Sequence, residues 1–106
     1  MTVSELLARF WTYAKGYYRG PDGGESSELH YLRLALRPLK QLYGSTPAAE
    51  FGPLNLQAVR HAMIDRGWVR TSINKHVGRI KLLFKWGVAN ELVPGNVYHA
   101  LQSCVG

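Results

Sequence analysis

Apolar residues recur along most of the chain at three- and four-residue spacing, the mark of helices that bury one face. The first such run, residues 1–19, puts Leu6, Phe10, Tyr13, Ala14 and Tyr17 on one stripe, with Trp11 and Tyr18 beside it to close the edges of a core. It opens on Thr2-Val3-Ser4-Glu5, which predicts a capping box in which the Thr2 hydroxyl and the Glu5 carboxylate satisfy free amides. Gly20-Pro21-Asp22-Gly23-Gly24 then breaks the pattern and reads as a loop. A second helix is expected from Ser26 or Ser27 to Tyr43, burying Leu29, Leu32, Leu36, Leu39 and Tyr43, with Gly44 just past its end. Pro38 falls inside it; a proline there lacks an amide donor and crowds the carbonyl of Leu34, so a kink or a break is expected.

After a connection at residues 45–52, a third helix starts between Pro53 and Asn55, with Pro53 suited to a first turn and Asn55 an alternative cap. Leu56, Val59, Met63 and Ala62 form its inner face, Gly67 ends it, and Trp68-Val69 is expected to anchor the next turn in the core. The fourth helix begins with Thr71 or Ser72 as its cap and buries Ile73, Val77, Ile80, Phe84 and Val88 before ending near Asn90. Leu92-Val93-Pro94-Gly95 separates it from a short last helix, capped by Asn96, with Val97, Ala100 and Leu101 inward. No strand-like alternation and no internal repeat compete with this reading. The expected fold is an all-α bundle of four helices plus a short fifth.

Composition adds a partner class. At 106 residues and 46% hydrophobic, the chain suits one domain with a modest core. Its formal net charge of +6 favours a polyanion, with nucleic acid ahead of a membrane surface. No apolar run reaches the ~20 residues of a membrane span, the N-terminus lacks a secretory layout, and the single cysteine, Cys104, allows no internal disulfide. The expectation is a cytoplasmic protein.

The charge concentrates in the fourth helix. Residues 70–88 hold a run of lysines and arginines with no carboxylate between Asp65 and Glu91. Opposite the apolar stripe lie Ser72, Lys75 and Arg79, with Thr71 and Gly78 at the edge, and both Lys75 and Arg79 are expected to be surface residues. Such side chains meet phosphates and base edges. Gly78, costly in a helix by roughly 1 kcal/mol, suggests close approach of a backbone or a DNA strand. In the second half, Leu82 and Trp86 oppose the stripe and indicate cover on two sides, leaving Lys81 and Lys85 on a separate flank. The second helix offers His30, Arg33, Arg37 and Lys40 on its outer face.

Nothing points to chemistry within the chain. His30, His61, His76 and His99 show no ligand spacing with one another or with Cys104, so no metal is expected. The glycine run lacks the Lys-Ser/Thr of a phosphate loop, and no cofactor is expected.

Three segments carry a resemblance. INKHVGRIKLLFKWGVANELVPGN resembles the last long helix of the N-terminal core-binding, SAM-like domain of phage integrases, the tyrosine site-specific recombinases; LRLALRPLKQLYG resembles the second helix and FGPLNLQAVRHAMIDRG the third. The likeness spans residues 3–96, and each motif is loose while their order and spacing are specific. Gly87, where alanine usually follows the tryptophan, and Val97, where Asn-Pro is usual, depart from the pattern. The resemblance implies a SAM-like bundle forming half of a clamp around double-stranded DNA, its second and fourth helices in the major groove. Matched onto this chain, contacts would come from Thr71, Ser72, Asn74, Lys75 and Arg79, with His30, Arg33 and Arg37 from the second helix, and Arg70 and Lys40 on phosphates. It also implies that catalysis belongs to a separate C-terminal domain, that this segment is no enzyme by itself, and that partner protomers assemble on DNA. The alternative is a SAM-like domain that pairs with other proteins, since fold does not fix function. A helix-turn-helix repressor fits less well, because the fourth helix is long and residues 67–70 are not a tight turn.

Overall fold

A single long helix organises the computed structural model, which describes residues 1–17 and 27–104. This helix, α4 (Arg70–Ala89), packs against each of the others: α1 (Val3–Tyr17), α2 (Ser27–Tyr43), α3 (Pro53–Asp65) and the short α5 (Gly95–Leu101). A 3₁₀ turn, Ala48–Glu50, lies between α2 and α3, and no strand occurs among the described residues. The chain is therefore the all-α bundle that the apolar spacing predicts. The Gly20–Gly24 breaker and Tyr18 lie outside the described residues.

The core is one cluster drawn from every helix. Leu6, Phe10, Leu29, Leu32, Leu39, Leu56, Met63, Ile80, Leu83, Phe84 and Leu101 are almost wholly enclosed. Each such side chain stabilises the fold by about 1.5–3 kcal/mol through burial. Phe51, from the connection before α3, stacks on Phe84 with ring centroids 4.8 Å apart. Tyr43 meets Phe51 edge-on at 5.6 Å, tying the end of α2 to the same stack.

Helix ends follow local chemistry, in part as expected. The Thr2 amide donates to the Glu5 carboxylate at 3.0 Å and the Glu5 amide to the Thr2 hydroxyl at 3.2 Å, completing the capping box. Those hydrogen bonds from Thr2 hold the Glu5 carboxyl below its usual range. At α3 the Gly52 amide donates to the Asn55 side chain at 2.9 Å, so Asn55 serves from inside the first turn rather than as the cap. Gly67 adopts φ +79°, and bonds from Gly67 to Ile64 and from Trp68 to Met63 close α3 as a Schellman motif. The end of α4 repeats this arrangement, with Glu91 at φ 59° in the position that favours glycine.

Several expectations need correction. Tyr13 and Tyr17 are exposed, and the buried side of α1 is made by Val3, Leu6, Leu7, Phe10 and Ala14. Tyr13 instead stacks with Tyr17 and lies against Trp86, both at 5.5 Å. Pro38 does not break α2, which continues through it with the proline buried. Trp68 packs on the core, but Val69 is 64% exposed because it is the residue preceding α4. Neither Thr71 nor Ser72 caps α4, since the helix already starts at Arg70, and Asn96 lies inside α5, which follows Pro94.

Gly44 has a reason other than a left-handed cap. The Ser4 amide donates to the Gly44 carbonyl at 3.0 Å and the Val3 amide to that of Thr46 at 2.9 Å, which clamps the start of α1 against the end of α2. A Cβ at residue 44 would sit 2.6 Å from both the Lys40 carbonyl oxygen and Ser4 Oγ. Gly44→Ala is therefore expected to lower stability by about 1–3 kcal/mol in urea unfolding, whereas Gly16→Ala, with open space around it, should not destabilise.

Candidate nucleic-acid interface

The orientation of α4 is set by residues that a hydrophobicity pattern underweights. His76, Leu83 and Gly87 are buried together with Ile73, Val77, Ile80 and Phe84. They widen the buried side in one direction, turning the exposed strip by about a third of the 100° step between residues. The centre of the strip becomes Thr71, Asn74 and Gly78, all exposed, with Arg70 and Lys75 on either side. Among the described residues, nothing outside the backbone of α4 itself lies within 4 Å of a Cβ built at Gly78. Lys85, expected on a separate flank, continues the strip at seven residues from Gly78 and is exposed.

The same rotation takes Arg79 off the surface. Its side chain is 15% exposed, and its Nε donates to the Glu28 carboxylate of α2 at 3.1 Å. Its other arm donates to His76 Nδ1 at 3.2 Å, and the guanidinium lies 5.2 Å from the centre of the Tyr31 ring. Arginine has only donors, so Nδ1 must accept and the imidazole is neutral there. Burial, with the Arg79 charge adding to it, pushes His76 below the usual imidazole range, which favours that neutral form. Trp68 covers the other side of the His76 ring at 5.1 Å. The cation expected to be unpaired thus finds its carboxylate in another helix. Glu28 and Tyr31 are the participants that the sequence reading missed; the only signal was an acid in the first turn of α2.

Lys81 is likewise engaged, donating to the Cys104 carbonyl near the end of the described chain. Leu82 and Trp86 are half-buried, as their position opposite the stripe predicts. What remains of the α4 charge is Arg70, Lys75 and Lys85, all exposed. The first turn of α4 has neither an acidic residue nor a side-chain cap, so no side chain within it offsets the positive end of the helix dipole. Ser72 is half-buried at the margin.

The α2 residues divide. His30 touches Tyr31 ring to ring at 5.6 Å and so borders the Arg79 cluster. Arg33, Arg37 and Lys40 are exposed but lie toward α1, where Arg33 sits 5.1 Å over the Trp11 ring. The structure therefore places Arg70, Thr71, Asn74 and Lys75 on one exposed side of α4, while His30 and Tyr31 lie at the Arg79 cluster on α2. It does not bring Arg33, Arg37 and Lys40 to the same flank. Among the described residues no group of three or more His, Cys, Asp or Glu is placed to hold a metal ion, and no helix is long and apolar enough to cross a membrane. No family model, curated protein or solved structure matches the chain.

The two basic residues formerly alike in sequence should now behave differently. Lys75→Ala is expected to leave stability within about 0.5 kcal/mol. Arg79→Ala should cost about 1–3 kcal/mol, because it strips the Glu28 carboxylate of a charge-assisted bond and leaves His76 Nδ1 without a donor. Chemical unfolding of the two variants separates them, and equal stabilities would mean that the cluster contributes nothing.

Proposed function

We propose that the chain binds duplex DNA, as the core-binding, SAM-like half of the clamp of a tyrosine recombinase, in DNA integration and site-specific recombination. The observation that carries this reading is the exposed strip over the first turns of α4, to which the helix itself contributes no acidic side chain. Arg70 and Lys75 flank it, Thr71 and Asn74 offer short polar groups, and Gly78 leaves the backbone uncovered. Uncapped amides at the start of the helix add partial positive charge where a phosphate would lie. Lysine and arginine would hold phosphates, while Thr71 and Asn74 are of the types that reach base edges.

In this reading Arg79 acts differently from Lys75. Glu28 and Tyr31 hold its guanidinium in place, so it fixes the angle between α2 and α4 and lends its field to the strip without being spent on a phosphate. His30 extends the surface onto α2. The resemblance to the integrase helices supports the recombinase context, in which a separate catalytic domain and further protomers complete the machine. This segment would contribute binding alone.

The test is fluorescence anisotropy of a labelled duplex across a salt series. Affinity is expected to fall with salt by a log–log slope of about 0.9 per phosphate neutralised. Lys75→Ala should reduce that slope by about one unit. Gly78→Ala should stabilise the helix by about 0.5–1 kcal/mol and yet weaken DNA binding, because a methyl would stand where the strand passes. Salt-insensitive binding, or a Gly78→Ala variant that binds as wild type, would contradict the proposal.

A further inference from the structure

A groove of about 630 Å³ runs between α1 and α2, on the flank of α2 away from Glu28 and Tyr31. Its α1 wall is a single helix face, Ser4, Leu7, Ala8 and Trp11. Its α2 wall is likewise one face, with Leu36 toward the floor and Arg33, Arg37 and Lys40 along the rim. The two helices run antiparallel along it. At one end Arg33 lies over Trp11 at 5.1 Å, and at the other the Ser4 amide reaches the Gly44 carbonyl at 3.0 Å. The α1 wall spans residues 4–11, roughly 10 Å at 1.5 Å per residue, or two turns of a helix laid alongside.

We propose that this groove docks an acidic amphipathic helix of a partner protein. Straight walls supplied by two antiparallel helices suit a third helix, the helix-in-groove mode in which an apolar edge enters and polar residues meet the rim. The apolar edge would rest on Leu7, Ala8, Leu36 and the indole of Trp11. Arginine and tryptophan are the residue types that carry most binding energy at interfaces, and here they are stacked on each other at the mouth.

The acidity follows from charge. Arg33, Arg37 and Lys40 stand at i, i+4 and i+7 along α2, so they form one row at the repeat of a neighbouring helix. No carboxylate is among the described residues that line the groove. Carboxylates at the same spacing on the incoming helix would pair with Arg37 and Lys40. A second copy of this chain does not supply them, since α1, α2 and α3 carry one carboxylate each and α4 and α5 none. A DNA backbone matches the rim but not the floor, which it would leave wet and unfilled.

A fluorescein-labelled synthetic peptide of about three helical turns, with leucines on one face and glutamates at i, i+4 and i+7 beside them, provides the probe. A twin with lysines replacing the glutamates is the control. The glutamate peptide is expected to saturate in anisotropy and to shift the amides of residues 4–11 and 33–41. The Arg37→Glu/Lys40→Glu double variant, its fold checked by thermal unfolding, should bind it at least about tenfold more weakly and should gain affinity for the lysine twin. Lys75→Ala should bind the peptide as wild type does, which separates this site from the DNA strip. The inference stands even if duplex DNA fails to bind at α4. Equal binding of both peptides, shifts outside the groove, or duplex DNA shifting 33–41 where the peptide does not would each overturn it; the last result would assign the α2 cations to DNA.

Discussion

Everything in this bundle depends on α4 being covered by all its neighbours at once. A helix in contact with four others has few directions left for solvent, and those are confined to a strip along one edge. Basic residues off that strip must find partners or be desolvated at a cost of several kcal/mol. Arg79 meets Glu28, Lys81 meets the Cys104 carbonyl, and only Arg70, Lys75 and Lys85 are left in water. The separation of structural from available charge is thus a consequence of packing. It gives the strip a fixed shape before any ligand arrives, which limits the ordering cost of binding.

The Arg79 cluster shows how the seam between α2 and α4 is held. Hydrophobic burial brings the helices together without fixing their angle, because apolar contact is non-directional. A guanidinium held by a carboxylate on one side, an imidazole nitrogen on another and an aromatic face beneath has few alternatives. His76 can take part only as a neutral acceptor, and its depressed pKa secures that form at neutral pH. The seam therefore places His30 and Tyr31 beside the proposed DNA strip while Arg33, Arg37 and Lys40 face α1. One helix serves two flanks of different character.

Much of the fold was legible because local rules agreed with tertiary packing. The Thr2–Glu5 box, the glycine at residue 67 and the leucines of α2 all read correctly, each being decided by backbone chemistry or by a strong period. The errors have physical causes. Tyr13 and Tyr17 share a spacing with the core but are exposed, stacked on each other at the edge of the buried face of α1. Gly87 carries no hydrophobic signal, yet it is buried because Leu6 and Val93 press against it. His76 reads as polar, yet it is buried, with Arg79 bonded to its Nδ1 and Trp68 against its ring. Missing these turned α4 slightly, which made Arg79 look free and Lys85 look remote. The pairing of Glu28 with Arg79 joins residues far apart in the chain, and no periodicity within one helix could reveal it.

The most direct measurement is amide chemical-shift mapping of the protein titrated with a generic duplex at low salt. Shifts are expected to concentrate on residues 70–78 and Lys85 and to reach residues 28–31 through the Arg79 seam, with α3 unmoved and the shifts reversed by added salt. Shifts centred on α3 or α5, or none at all at low salt, would contradict DNA binding at α4.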